Sequence, residues 1–160
     1  MEKIYPSFSE YPVAKKNVFV ISCMDLRLTD DLVKFLNFDN LTNRYDHYIS
    51  AGVSLCHCTH LSDYFVKPHP DYYKCLEAWA QTALSHLELA IKLHHVEDIY
   101  LFEHMDCGAY KYFIDEKDPS AMIKIQEKFI KEFADFLRKK YLLNVHCFFM
   151  NLRGDVKHIR

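Results

Sequence analysis

Strand-like apolar runs that alternate with helix-period segments predict an α/β fold for this chain: a twisted, mostly parallel sheet with helices on both faces. Three observations carry that prediction. Residues 17–22 (NVFVIS), 98–103 (DIYLFE) and 144–150 (NVHCFFM) are short apolar runs rich in β-branched and aromatic side chains. The segments between them repeat apolar residues at near-helical spacing. Two groups of chemically capable residues, Cys23-Met24-Asp25-Leu26-Arg27 and His104-Met105-Asp106-Cys107-Gly108, follow directly on the first and second of these runs, and ligands in open α/β sheets bind beyond strand carboxyl ends.

Residues 17–22 form the first predicted strand. Thr29 with Asp30 and Asp31 then caps a helix running to about residue 37, with Leu32, Val33, Phe35 and Leu36 as its apolar contacts. A weaker strand covers residues 47–50. Residues 72 to about 95 place Leu76, Trp79, Ala83, Leu87, Ala90 and Leu93 on a helical stripe, and residues 120–141 repeat the pattern through Ile123, Ile130, Phe133 and Leu137. Strands at 98–103 and 144–150 complete the order β-α-β-α-β-α-β. Residues 151–156 (NLRGDV) read as a turn leading into a short edge strand.

A length of 160 residues is that of one domain, 1–160, large enough to bury a core without staples. Twelve Phe and 11 Tyr make the chain aromatic-rich, which points to a subunit interface or a dense core. Twenty basic against 22 acidic residues give a formal charge of −2, so there is no basic footprint for nucleic acid or an anionic membrane. No run reaches the roughly 18–20 apolar residues of a membrane span, and MEKIYPSFSEYP lacks a signal-peptide core; the expectation is a soluble, cytoplasmic protein. Glycines stand only at 52, 108 and 154, which excludes a Gly-rich phosphate cradle. Six cysteines in such a chain read as reduced thiols, with Cys75 and Cys147 as small core residues.

Cys23, His104 and Cys107 supply two thiolates and one imidazole. This Cys₂His set leaves a fourth tetrahedral position open, the hallmark of a catalytic zinc as opposed to a closed structural one, and an open position means chemistry on a bound water. Zinc suits the soft donors best, with iron or cobalt as substitutes. If the two strands are neighbours with oppositely directed crossovers, the three residues converge without special loop folding. Asp25, two residues from a ligand, is placed to accept a proton or hydrogen bond from that water, and Arg27 to orient Asp25 by a bidentate pair. Cys56-His57-Cys58-Thr59-His60, with His69 nearby, looks like a second ligand cluster, but its spacing matches no single clean site; it reads as a flap over the cleft. His94 and His95 fit a helix carboxyl end, and the charges of residues 115–118 and 124–140 fit solvated faces.

With these residues in place, the chain resembles the β-class carbonic anhydrases, whose signature is Cys-x-Asp-x-Arg after the first strand and His-x-x-Cys-Gly after the third. Ala51-Gly52, Leu87-Glu88-Leu89-Ala90-Ile91 and Cys107-Gly108-Ala109-Tyr110-Lys111 are similar in type and order, so the likeness spans roughly residues 15–155. The resemblance implies a sheet of order 2-1-3-4, a homodimer or higher homo-oligomer, Zn²⁺ on Cys23, His104 and Cys107, and an Asp25–Arg27 dyad beside it. It implies zinc-dependent, reversible hydration of CO₂ to bicarbonate. The alternatives are a zinc-binding protein of the same fold with a binding or regulatory role, or a hydrolase of carbonyl sulfide or carbon disulfide. A thiol redox role for Cys56 and Cys58 is a third. Four departures from the family stand out: Ile49-Ser50 where Arg-Asn is usual, Glu103 where Gly is common, a longer segment between Gly52 and the long helix, and only about 15 residues where N-terminal helices often clasp the partner.

Overall fold

The computed structural model describes residues 16–66 and 70–160; the N-terminal segment and His69 lie outside the described residues. Its sheet has the order β2-β1-β3-β4-β5. The strands are β1 (Val18–Cys23), β2 (Tyr45–Ser50), β3 (Asp98–His104), β4 (Asn144–Met150) and β5 (Val156–Ile159). The first four are parallel, and β5 returns antiparallel along β4, as a tight turn at residues 151–155 allows. The predicted α/β class, strand order and edge strand are all present.

Side-chain alternation along β1 and β3 sorts the core into two layers. Phe19, Ile21, Ile99 and Leu101 pack with Leu87 and Ala90 of α2 (Pro70–His94) and with Ile130, Phe133 and Leu137 of α4 (Pro119–Tyr141). Val18, Val20, Tyr100 and Phe102 face the opposite way, against Leu32 and Leu36 of α1 (Thr29–Phe38). Helices thus cover both faces, which satisfies a sheet whose strands are apolar on both sides.

Local chemistry explains the helix ends. The Asp118 side chain accepts from the N–H groups of Ser120 and Ala121, and Pro119 opens α4, where its missing N–H costs nothing. The cap expected at the start of α1 differs: Leu28 is the capping residue, with no side-chain hydrogen bond, and Asp30 and Asp31 sit in the first turn, where they favour the helix dipole. Two further expectations are corrected. Leu93 of the predicted apolar stripe is exposed. The short helix α3 (Gly108–Phe113) was not predicted, since six residues are too few to show a period.

The crossovers from β1 and β3 run in opposite directions, to β2 and to β4, while β1 and β3 themselves lie side by side in register. The crevice this divergence opens is at their carboxyl ends.

Candidate metal centre

Cys23 closes β1, His104 closes β3, and Cys107 is the capping residue of α3, three positions on. One ligand atom from each lies within 4.8 Å of the other two, and no other such group of Cys, His, Asp and Glu occurs among the described residues. The sulfurs of Cys23 and Cys107 are 3.8 Å apart, far beyond a disulfide bond of about 2.05 Å. Two zinc–sulfur bonds of about 2.3 Å at a tetrahedral angle separate their sulfurs by about 3.8 Å. The pair therefore already has the spacing that one tetrahedral ion requires.

The histidine is aimed to match. Its Nδ1–H donates to the Met105 carbonyl at 2.8 Å, which fixes the tautomer and leaves Nε2 as a lone-pair donor. His104 is 2% exposed, and Nε2 is a buried nitrogen without a hydrogen-bond partner. A bound cation would satisfy a buried polar atom left in this way. Two sulfurs and that nitrogen fit zinc.

The thiols behave as a pair. The hydrogen bond to Cys107 draws the Cys23 thiol down to about 4, while the Cys107 thiol, facing that thiolate and buried, is pushed up. Against burial, which lowers it, the neighbouring Cys23 thiolate holds the His104 imidazole above its ordinary value. A divalent cation bound here would replace the protons that these groups otherwise share.

Asp25 and Arg27 form the expected bidentate pair: Nε donates to Oδ1 at 2.9 Å and a terminal nitrogen to Oδ2 at 2.6 Å. The guanidinium holds the Asp25 carboxyl at about 2, and Oδ2 stands 4.0 Å from His104 Nε2. Asp106, absent from the sequence-based set, extends the dyad: its carboxylate accepts from Arg27 at 3.0 Å and also from Lys111. Its place between a predicted ligand pair was the available signal.

The residues around Cys56 do not form a flap. Cys56 and Cys58 are buried with Leu55, Leu76, Tyr110 and Phe129 beneath the ligand residues, and burial pushes the Cys56 thiol up to about 12 and the Cys58 thiol higher still. All six cysteines are free thiols, and these two lack the accessible thiolate that redox exchange needs. The His57 ring stacks on Phe133 at 3.7 Å between centroids, and His60 reaches only toward Glu132 at the surface.

Glu103, which stands where the resembling family commonly has Gly, is fully buried; Oε1 accepts from Ser54 N–H, Ser54 Oγ–H and Tyr110 O–H, and burial pushes the carboxyl up. Ser54 and Tyr110 were missed. An acidic residue ending an apolar strand signals a buried partner, yet Ser54 lies 49 positions away.

No family model matches the chain. Among curated relatives, the uncharacterized protein RC0076 of Rickettsia conorii is 26% identical over 147 residues, covering 89% of this chain and 72% of its own length. An uncharacterized protein of Rickettsia bellii is 26% identical over 147 residues, with 89% and 81% covered. Among solved structures, the β-carbonic anhydrase CafD of Aspergillus fumigatus matches with a TM-score of 0.56 at 11% identity, over 91% of this chain and 90% of that one. The pair of tetrameric β-carbonic anhydrases from Sordaria macrospora includes a match at 0.52 and 13%, over 90% and 80%. CafA of Aspergillus fumigatus matches at 0.52 and 12%, over 89% and 74%. The fold is that of the β-carbonic anhydrases. Among the described residues no helix is long and apolar enough to cross a membrane.

Burial holds the His57 imidazole down to about 3, against 6.5 for the free side chain. The unfolded chain therefore gains a proton that the folded chain refuses. The stability linked to His57 is fully present above pH 6.5 and is lost as pH falls from there toward 3. In urea unfolding, His57→Phe, which keeps a stacking ring, is expected to lose less stability than the parent chain between pH 7 and 4.5. Parallel losses would contradict this assignment.

Proposed function

We propose that the chain is a zinc enzyme that hydrates CO₂ reversibly to bicarbonate, with Cys23, His104 and Cys107 as its metal ligands. The observation that carries this reading is the 3.8 Å sulfur pair beside an unpartnered His104 Nε2, at a strand-end crevice of this fold. Zinc supplies one thing when bound: it lowers the pKa of a coordinated water from about 15.7 toward 7.

The chain's own groups supply the rest. Asp25 stays ionised because Arg27 grips both its oxygens, so at neutral pH it is an acceptor only, ready to orient an O–H beside the ligands. Arg27 is in turn held by Asp106, through a side-chain oxygen at 3.0 Å and the carbonyl at 3.2 Å, and Lys111 braces Asp106. This chain of ion pairs keeps Asp25 from swinging toward the ligand atoms. The carbon centre of CO₂ is uncharged, and apolar Met24 and Ile49 flank the site without placing a charge against it. The same apolar flank, where the resembling family has an arginine, favours carbonyl sulfide or carbon disulfide as a second reading, since both present a linear electrophilic carbon to the same chemistry.

Assembly into a homodimer or a larger homo-oligomer belongs to the proposal. Met24, Leu26, Ile49, Met105 and Leu152 are exposed apolar residues, and all lie at the carboxyl edge of the sheet, where an unpartnered apolar rim fits a second copy of the chain. The solved neighbour from Sordaria macrospora is one of a pair of tetrameric β-carbonic anhydrases. Light scattering is expected to read at least twice the mass of the chain; a monomer carrying full metal would reject the assembly.

Stopped-flow CO₂ hydration by the zinc-loaded protein tests the activity. Asp25→Asn is expected to retain its metal while turnover falls on the order of 10²- to 10⁴-fold, the usual contribution of a positioned acid–base group. Arg27→Ala should lose activity as well, because Asp25 is then free to compete for the ligand position. No CO₂ hydration by the zinc-loaded parent between pH 7 and 9 sinks the reading, and turnover of carbonyl sulfide instead selects the second one.

A further inference from the structure

We propose that the buried Glu103 carboxyl is a positioning group for the metal ligands: through Ser54 and Tyr110 it ties the turn after β2 and the first turn of α3 to the end of β3, the backbone segments that set the places of Cys23, Cys107 and His104. The inference rests on the reading of Cys23, His104 and Cys107 as a metal site.

Glu103 is the next-to-last residue of β3, after the apolar run 99–102, and is 0% exposed. A carboxyl buried there is tolerated only if donors meet it. Three do, all on Oε1: the Ser54 N–H at 2.9 Å, the Ser54 hydroxyl at 2.5 Å and the Tyr110 hydroxyl at 2.9 Å. The two hydroxyls are themselves 2.9 Å apart, so the three oxygens form a closed triangle, while Oε2 is buried without a partner.

What this triangle anchors is the inner coordination geometry. The turn that carries Gly52 and Ser54 follows Ser50, which stands opposite Cys23 in the sheet and whose carbonyl accepts from the Met24 N–H at 2.8 Å. Tyr110 lies in α3, three residues beyond Cys107, and its hydroxyl reaches Glu103. Glu103 is the neighbour of His104 on β3. A single carboxyl oxygen thus ties together the three segments that carry or support all three ligands. The turn is seated tightly: Gly52 has φ +70°, and a Cβ there would stand 3.1 Å from Leu55 Cβ and 3.3 Å from Ala109 Cβ. Groups that fix the backbone beside a ligand orient that ligand and tune the metal.

Cobalt(II) serves as the probe, read by its ligand-field and thiolate-to-metal absorption and by competition with a chromophoric chelator. Tyr110→Phe, which removes one oxygen from a buried ring, and Ser54→Ala are each expected to weaken cobalt binding by about 10- to 100-fold and to shift the ligand-field bands. Glu103→Gln keeps a carbonyl acceptor and should stay close to the parent. Folded Tyr110→Phe and Ser54→Ala proteins with the parental affinity and spectrum would overturn the proposal, whatever their thermal midpoints. A parent chain that binds no cobalt overturns the metal reading and this one with it. A parent that binds cobalt normally but hydrates no CO₂, with the variants weakened as expected, leaves Glu103 in its role and rejects the activity alone.

Discussion

The lateral pairing of β1 with β3 is the constraint on which the site depends. Val18 to Ser22 run in parallel register with Asp98 to Phe102, so the two strands finish together, and Cys23 and His104 emerge at the same edge. Because the connections leave toward opposite sides of the sheet, a crevice opens above them. Cys107 completes the set from the capping position of a helix that begins four residues past the end of the strand. A slip of one residue along β1 would send Cys23 to the α1 face and abolish the cluster. The apolar layers on either side of the sheet therefore also preserve the ligand geometry, because they pin that register.

Electrostatics then determines what can occupy the edge. Two thiols, an imidazole and a buried carboxyl crowd within a few residues of one another, and without a cation they compete for protons, as the opposed shifts of Cys23 and Cys107 show. Burying such groups with no compensating charge is costly. A soft dication would relieve it, and the His104 tautomer and sulfur spacing fit one. The exposed side of the site carries the complementary arrangement. There Asp25, Arg27, Asp106 and Lys111 alternate in sign, and their value lies less in stability, which exposed ion pairs scarcely provide, than in keeping the Asp25 carboxylate at a fixed angle.

Much of this was legible in the chain itself. The strands announced themselves because apolar β-branched and aromatic residues cluster in them, and the ligand residues because they fall directly at strand ends. The Asp25–Arg27 pair could be foreseen since two residues at a turn meet through local geometry alone. The burial of Cys56 and Cys58 could not, because a Cys-x-Cys segment in a loop reads alike whether it faces solvent or fills the space beneath α2 and α4; only the packing of Leu76 and Phe129 decides. Glu103 was recognisable as an anomaly, but its direction depends on Ser54 and Tyr110, which belong to segments brought together by the whole fold.

The central claim is that one ion is held by two sulfurs and one imidazole nitrogen. X-ray absorption at the zinc edge of the loaded protein measures this directly. The account predicts one zinc per chain with two sulfur scatterers at about 2.3 Å and nitrogen or oxygen scatterers at about 2.0–2.1 Å, with one sulfur lost in Cys107→Ser. A spectrum with no sulfur shell, or with four sulfurs, would contradict it.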